Sequence, residues 1–252
     1  MTSRFRMILF FSGAGGIAVL LACAFAHLPG PEDIRSRYLA QINQRTVPER
    51  NATDAVTAVN FDYRGFDTVG EEFILFVSVM GSLVLLRQPT EKQEKPLRDA
   101  LTAGRDMPAS DAIRLWILLM TAPKVLFGIY IVTHGQLTPG GGFQGGVILA
   151  SCALIIYLGE NFQVFKRVVS HPMVEVVEGA GAGLFVLIGM FAWLWRYPYL
   201  SNILPIGKTG ELTSGGTIPL ISIATGMEVT AGFVLLLHAF LQETLTADTD
   251  QT

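Results

Sequence analysis

The chain has 252 residues, of which 50% are hydrophobic and 15% charged, and its formal net charge is −3. A soluble domain has about 25% charged residues. The deficit, together with apolar residues gathered in long runs, excludes a disordered chain and argues against a soluble enzyme. The slightly acidic balance gives no electrostatic footprint for nucleic acid, and two cysteines make no disulfide framework.

A helix crosses the hydrocarbon core with about 20 mostly apolar residues. Six apolar runs predict an all-α integral membrane protein, with spans at 7–28, 72–86 (short, with its first carboxylate near the interface), 113–133, 142–158, 176–195 and 218–241. Arg4 and Arg6 ahead of the first run would also suit a secretory signal. The run is longer than a signal's apolar region and stays apolar beyond Cys23, so it reads as an uncleaved helix. With the N-terminus inside, the cytoplasmic side holds ten Lys/Arg (Arg4, Arg6, Arg87, Lys92, Lys95, Arg98, Arg105, Arg114, Lys166, Arg167). The other side holds seven. The bias predicts N-in, C-in. The aromatic cluster Trp193, Trp195, Tyr197 and Tyr199 marks where the fifth span leaves the bilayer.

The polar, proline-containing stretch 88–111 reads as a linker. It separates a two-helix part, 1–87, from a four-helix part, 112–243, and 244–252 forms a polar tail.

Two ionisable residues fall near mid-membrane: Lys124 in the third span and Glu228 in the sixth. A charge at the bilayer centre costs about 2.5–3.5 kcal/mol on insertion scales. Thr121 and Gly128 flank Lys124 at i−3 and i+4, and Ala224, Ala231 and Gly232 flank Glu228 at i−4, i+3 and i+4. Small residues mark helix contact faces, so both charges are expected to point into protein. They are either a structural pair or protonatable stations of a relay.

The segment from His134 through Pro139, Gly140, Gly141 and Gly142 to Gly145 and Gly146 joins the third and fourth spans. Pro139 stops a helix and the glycines permit positive φ. Gly142, Gly146 and Ala150 form a small stripe, with Gly141 and Gly145 beside it, so this helix start is expected against another backbone. A phosphate-binding loop does not fit, since no Gly-Lys-Ser/Thr follows. No span carries two histidines at ligand spacing, so haem is not expected. His134 and His238 read as interfacial, with proton relay as the alternative. No metal site and no cofactor is expected.

Ahead of the second span, Thr68 and Glu71 have capping-box spacing. Glu71 is then either a capping carboxylate or a proton-passing group at the membrane boundary. Glu175 and Glu178 share a face at the entrance of the fifth span and read as solvated interface.

At these residues the sequence resembles a known family. HGQLTPGGGFQGGVILA resembles the signature loop of the B-type subunit of Mrp multisubunit Na⁺/H⁺ antiporters, and the spans around it resemble that protein's four helices. ATGMEVTAGF resembles the last helix of the equivalent small subunit of membrane-bound hydrogenases. VTAVNFDYRGFDTVGEEFILFVSVMGSLVLL resembles the C-terminal segment of the large A-type antiporter subunit. The resemblance leaves out residues 28–52 and 88–110. It implies a natural fusion of the two, similar to small membrane subunits of complex I-related assemblies.

The same resemblance implies a non-catalytic subunit of a bacterial or archaeal cytoplasmic membrane. It would help form a path for Na⁺ and/or H⁺ with other membrane subunits, including a large antiporter-like one, and would not transport alone. Residue by residue it supports Asp67, Glu71, His134, Pro139, Gly140 to Gly142 and Glu228. Lys124 rests on its depth alone. The alternative is a structural assembly subunit of a redox or carbon-handling complex. A self-sufficient transporter ranks behind both, because no inverted repeat is visible.

Overall fold

The computed structural model describes residues 3–26, 31–86, 110–160 and 162–247, and all regular structure among them is helical. The linker segment 88–109 and the end of the tail, from 248, lie outside the described residues. The chain divides into two compact units, Met1–Gln44 and Arg45–Thr252. The first holds α1 (Ser3–Ala26), which occupies the first apolar run, and the opening of α2 (Pro31–Arg50).

The second unit continues from the end of α2 into α3 (Ala55–Ala58), a π turn (Val59–Tyr63) and α4 (Gly65–Leu86). There follow α5 (Asp111–Thr133), α6 (Gly142–Gly159), the short α7 (Phe162–Val168), α8 (His171–Leu194) and α9 (Ile218–Ala247). Five of these, α4, α5, α6, α8 and α9, are long and apolar enough to cross a membrane. The protein is an all-α integral membrane protein.

Several elements begin or end a turn or more beyond the apolar runs. The π turn leads almost directly into α4, which starts at Gly65 and not near Glu72. Thr68 therefore lies inside the helix and does not cap it; its hydroxyl donates to the Asn60 carbonyl at 2.6 Å. Likewise α8 starts at His171, which brings Glu175 and Glu178 inside the helix.

Helix α9 is the centre of the second unit. It packs against α8, α6 and α4 and more lightly against α5, and is buried over most of its length, whereas α4 and α5 expose most of theirs. Lipid offers no hydrophobic drive between helices, so close approach of small residues supplies the contact. A methyl on Gly146 would lie 2.8 Å from Val229 Cβ, and one on Gly145 would lie 2.8 Å from the backbone nitrogen of Val132. Two apolar clusters close the ends. Phe61 and Phe185 meet edge to face at 6.4 Å in one, beside Ile188, Ile218 and Ile221. Phe162 and Phe165 meet Ala150, Ala153 and Val234 in the other.

Candidate functional site

The loop between α5 and α6 turns at Gly140 and Gly141, whose φ angles of +151° and +120° suit only glycine without strain. It is sewn to the segment ahead of α3. The Gln136 carbonyl accepts from the backbone amides of Thr53 (2.9 Å) and Asp54 (3.2 Å), and the Thr53 hydroxyl donates to Leu137 O at 2.5 Å. The Gln136 side chain, fully buried, donates to Leu212 O at 2.8 Å. The part before the linker and the part after it are thus hydrogen-bonded at this loop. Beside it lies a cavity of about 250 Å³ lined by Thr57, Asn60, Glu71, Glu72, Gly140 and Gln144 among others.

Glu71 is exposed, and Glu72, one residue on and so about 100° round the helix, is 5% exposed and turns inward. Its polar neighbours are Thr225 and Glu228 of α9. Both carboxylates line a narrow cleft with Val69, Phe73, Phe185 and Val186. Glu228, 1% exposed, faces Glu72 on one side and Glu178 of α8 on the other. Glu178 is 2% exposed, and its Oε1 lies 3.3 Å from where a methyl on Gly232 of α9 would be.

The helices make this possible by their register. Gly181 sits on Glu228, Glu178 on Gly232 and His171 on His238, so α8 and α9 run antiparallel. Val79 of α4 also reaches Gly232, which puts α4 parallel to α9. Three buried carboxylates from three helices therefore form one column. None of the ion pairs among the described residues involves them. Both oxygens of Glu228, Oε1 of Glu178 and Oε2 of Glu72 meet no hydrogen-bond donor among the described residues. Burying such groups without compensation is costly. The described residues contain no group of three His, Cys, Asp or Glu side chains placed to hold a metal ion. The carboxylates are strung out, an arrangement suited to handing a proton or cation along a line.

The other residues singled out by sequence lie elsewhere. Asp67 is half exposed and pairs with Arg64 at 2.6 Å. His134 ends α5, stacked on Tyr130 at 4.0 Å with Nδ1 donating to the Tyr130 carbonyl at 3.0 Å. Lys124 is half-buried on α5 beside Cys152 of α6, without an ion pair to Glu228. Pro139 is exposed at the tip of the glycine loop. Sequence reasoning misses Glu72 as a buried group and places Glu178 in solvent. For Glu178 a signal existed: Gly181 and Ala182 flank it at i+3 and i+4, the small-residue pattern that marks Glu228.

Residues 112–235 match the domain related to the MnhB subunit of Na⁺/H⁺ antiporter. Over 110 residues the chain is 32% identical to the B subunit of the Na⁺/H⁺ antiporter of Bacillus subtilis, covering 39% of this chain and 76% of that protein. The chain belongs to this MnhB family. The likeness of this MnhB-family protein to other proteins extends before the matched domain. It is 27% identical over 237 residues to the A/B subunit of a probable K⁺/H⁺ antiporter of Rhizobium meliloti, covering 87% of this chain but 23% of that longer protein. It also superposes on a chain of the membrane-bound sulfane sulfur reductase, an archaeal respiratory membrane complex. The TM-score is 0.68 at 28% identity, with 94% of this chain and 98% of that chain covered.

Proposed function

We propose that this MnhB-family protein is a non-catalytic membrane component of a multisubunit, complex I-related assembly that exchanges Na⁺ or another cation for H⁺. In this reading it resides in a prokaryotic cytoplasmic membrane, N-in and C-in, as a fusion of an A-type part and a B-type part. The column Glu72–Glu228–Glu178 is its contribution to the ion path. One observation carries the reading: three carboxylates from three helices face one another deep in the bundle with no paired cation. A proton or a small cation is what such a group lacks. Glu71 and the cavity at Gly140 form the aqueous approach. Lys124 is a separate station on the exposed helix α5, where a partner protein would supply its counterpart.

The test is ion-driven ΔpH in everted vesicles from cells carrying Glu228→Gln. Loss of ΔpH with a complex of normal size on native gels supports the path. Full activity with normal assembly would overturn it.

The end-to-end likeness to a chain of a respiratory complex favours one rival, a structural component of a redox assembly. There the same substitution abolishes assembly. A metal-cluster protein co-purifies in place of a large antiporter-like one.

A further inference from the structure

At the far end of the column from Glu71, a cleft of about 400 Å³ lies between α4, α8 and α9. One wall is apolar, with Met80, Leu83, Val84 and Leu86 of α4. The other holds His171 and Glu175 of α8 with His238 and Gln242 of α9. His238 is 6% exposed and packed among the rings of Phe162 (5.6 Å), Phe165 (6.0 Å) and His171 (5.0 Å). Its Nε2 meets no hydrogen-bonding partner among the described residues. An imidazole buried in an aromatic box, with a free nitrogen and an open cleft beside it, has no packing reason to be histidine; a phenylalanine would fill the same space. His171 and Glu175 are more exposed and approach each other at 3.4 Å.

We propose that His171, Glu175 and His238 form the second aqueous mouth of the carboxylate column, exchanging protons between Glu178 and the membrane face that bears Lys166 and Arg167. This rests on the reading of Glu72, Glu228 and Glu178 as a path.

The geometry supplies the steps. Glu175 lies one turn from Glu178 on the same helix face and acts on it electrostatically. His238 lies six residues beyond Gly232, the position against which Glu178 packs, or about 9 Å along α9. The cleft is roomy enough for several waters, each occupying about 30 Å³, and its α8 wall carries Glu175, the residue one turn from Glu178. A proton taken from the cleft by an imidazole nitrogen is released to water or to Glu175 and thence to Glu178, and the imidazole returns to its neutral form. One proton enters and one leaves, with no other reactant. The charged groups facing His238 are His171 and, from α7, Lys166. The wall from α4 contributes no titratable group.

The assembled complex in proteoliposomes provides the test, with His238→Phe, which keeps a ring among Phe162 and Phe165, and the exposed double variant His171→Gln/Glu175→Gln. Both should assemble normally and lower the rate of ion-driven proton movement about a hundredfold or more, the order expected when a positioned proton-transfer group is lost. In His238→Ala, added imidazole should restore the rate from the Lys166 face and not from the opposite one, a response that a structural histidine would not give. If these variants keep full rate while Glu228→Gln is inactive, the second mouth is wrong and the path reading stands. If Glu228→Gln also keeps full rate, both fall. Should His238 variants fail to assemble, the exposed double variant alone decides: full rate overturns the proposal.

Discussion

Gly181 of α8 packs directly on the backbone of Glu228 in α9: a methyl group at 181 would stand 2.6 Å from the Glu228 nitrogen and 2.8 Å from the Ala224 carbonyl oxygen. The carboxylate column exists because these two helices touch backbone to backbone at this level. Gly181→Ala should push α8 away from α9, since main chain cannot yield as a side chain can. Overpacking of this kind costs about 1–3 kcal/mol. A lower melting temperature in detergent, with transport reduced out of proportion to the remaining folded protein, is the expected outcome. Gly179→Ala is the control, because a methyl there meets nothing within 4 Å, and it should melt like the parent.

The same residues differ in how plainly the sequence shows them. Length and hydropathy suffice for the spans, because twenty apolar residues have few alternatives to crossing a bilayer. Glu228 stands out by depth. Glu178 does not, because its depth depends on where α8 begins, and His171-Pro172 starts that helix before the apolar run does. Glu72 is hidden by its neighbour. The motif that draws attention to Glu71 says nothing of helix phase, and phase is set by the π turn at Val59–Tyr63, which no periodicity announces. His238 reads as interfacial because apolar residues thin out after Leu241, yet α9 continues to Ala247 and α7 covers the ring.

Arg50 and Asp62 pair at 2.5 Å, with the Asp62 side chain 6% exposed and also accepting from Asn202 at 2.8 Å. Asn202 in turn accepts from the Thr217 amide and donates to Gly215 O, so Asp62 ties the end of α2 and the π turn to the start of α9. Asp62→Ala leaves Arg50 and the Asn202 amide short of an acceptor. Breaking a buried pair from one side costs about 3–5 kcal/mol. Arg50 keeps some access to water, so a loss near the low end is expected. Chemical denaturation of the purified complex, or its melting temperature, measures it. Asn202→Ala should cost less, as it removes no charge.

Tyr63 donates its phenol to Glu49 Oε2 at 3.0 Å with the Arg50 guanidinium over its ring at 5.3 Å. Burial first, and the Glu49 carboxylate second, push its pKa up to about 12. The neutral phenol is the favoured form, so above pH 10 the folded state holds a proton that the unfolded chain has lost. The stabilisation is complete below pH 10 and declines as pH rises from 10 towards 12. Ultraviolet difference spectra of the parent against Tyr63→Phe should show one phenol missing from the late part of the titration. Equal titration of the two proteins near pH 10 would contradict the assignment.

Glu71 and Glu72 offer the sharpest comparison, because adjacent carboxylates are assigned different work. Glu71 is exposed on the cavity beside Gly140, where water can replace it, whereas Glu72 is buried and faces Glu228. Glu71→Gln should therefore slow the approach of ions while leaving the path intact, seen as a modest fall in rate that is relieved at saturating cation. Glu72→Gln breaks the column itself. It should abolish ion-driven ΔpH at every cation concentration while the complex keeps its size on native gels. Neither change alters side-chain volume appreciably, so a difference between them reports on position and not on packing. Equal effects, or a larger loss from Glu71→Gln, would mean that the route runs along the exposed face of α4 against a partner protein and not between α4 and α9.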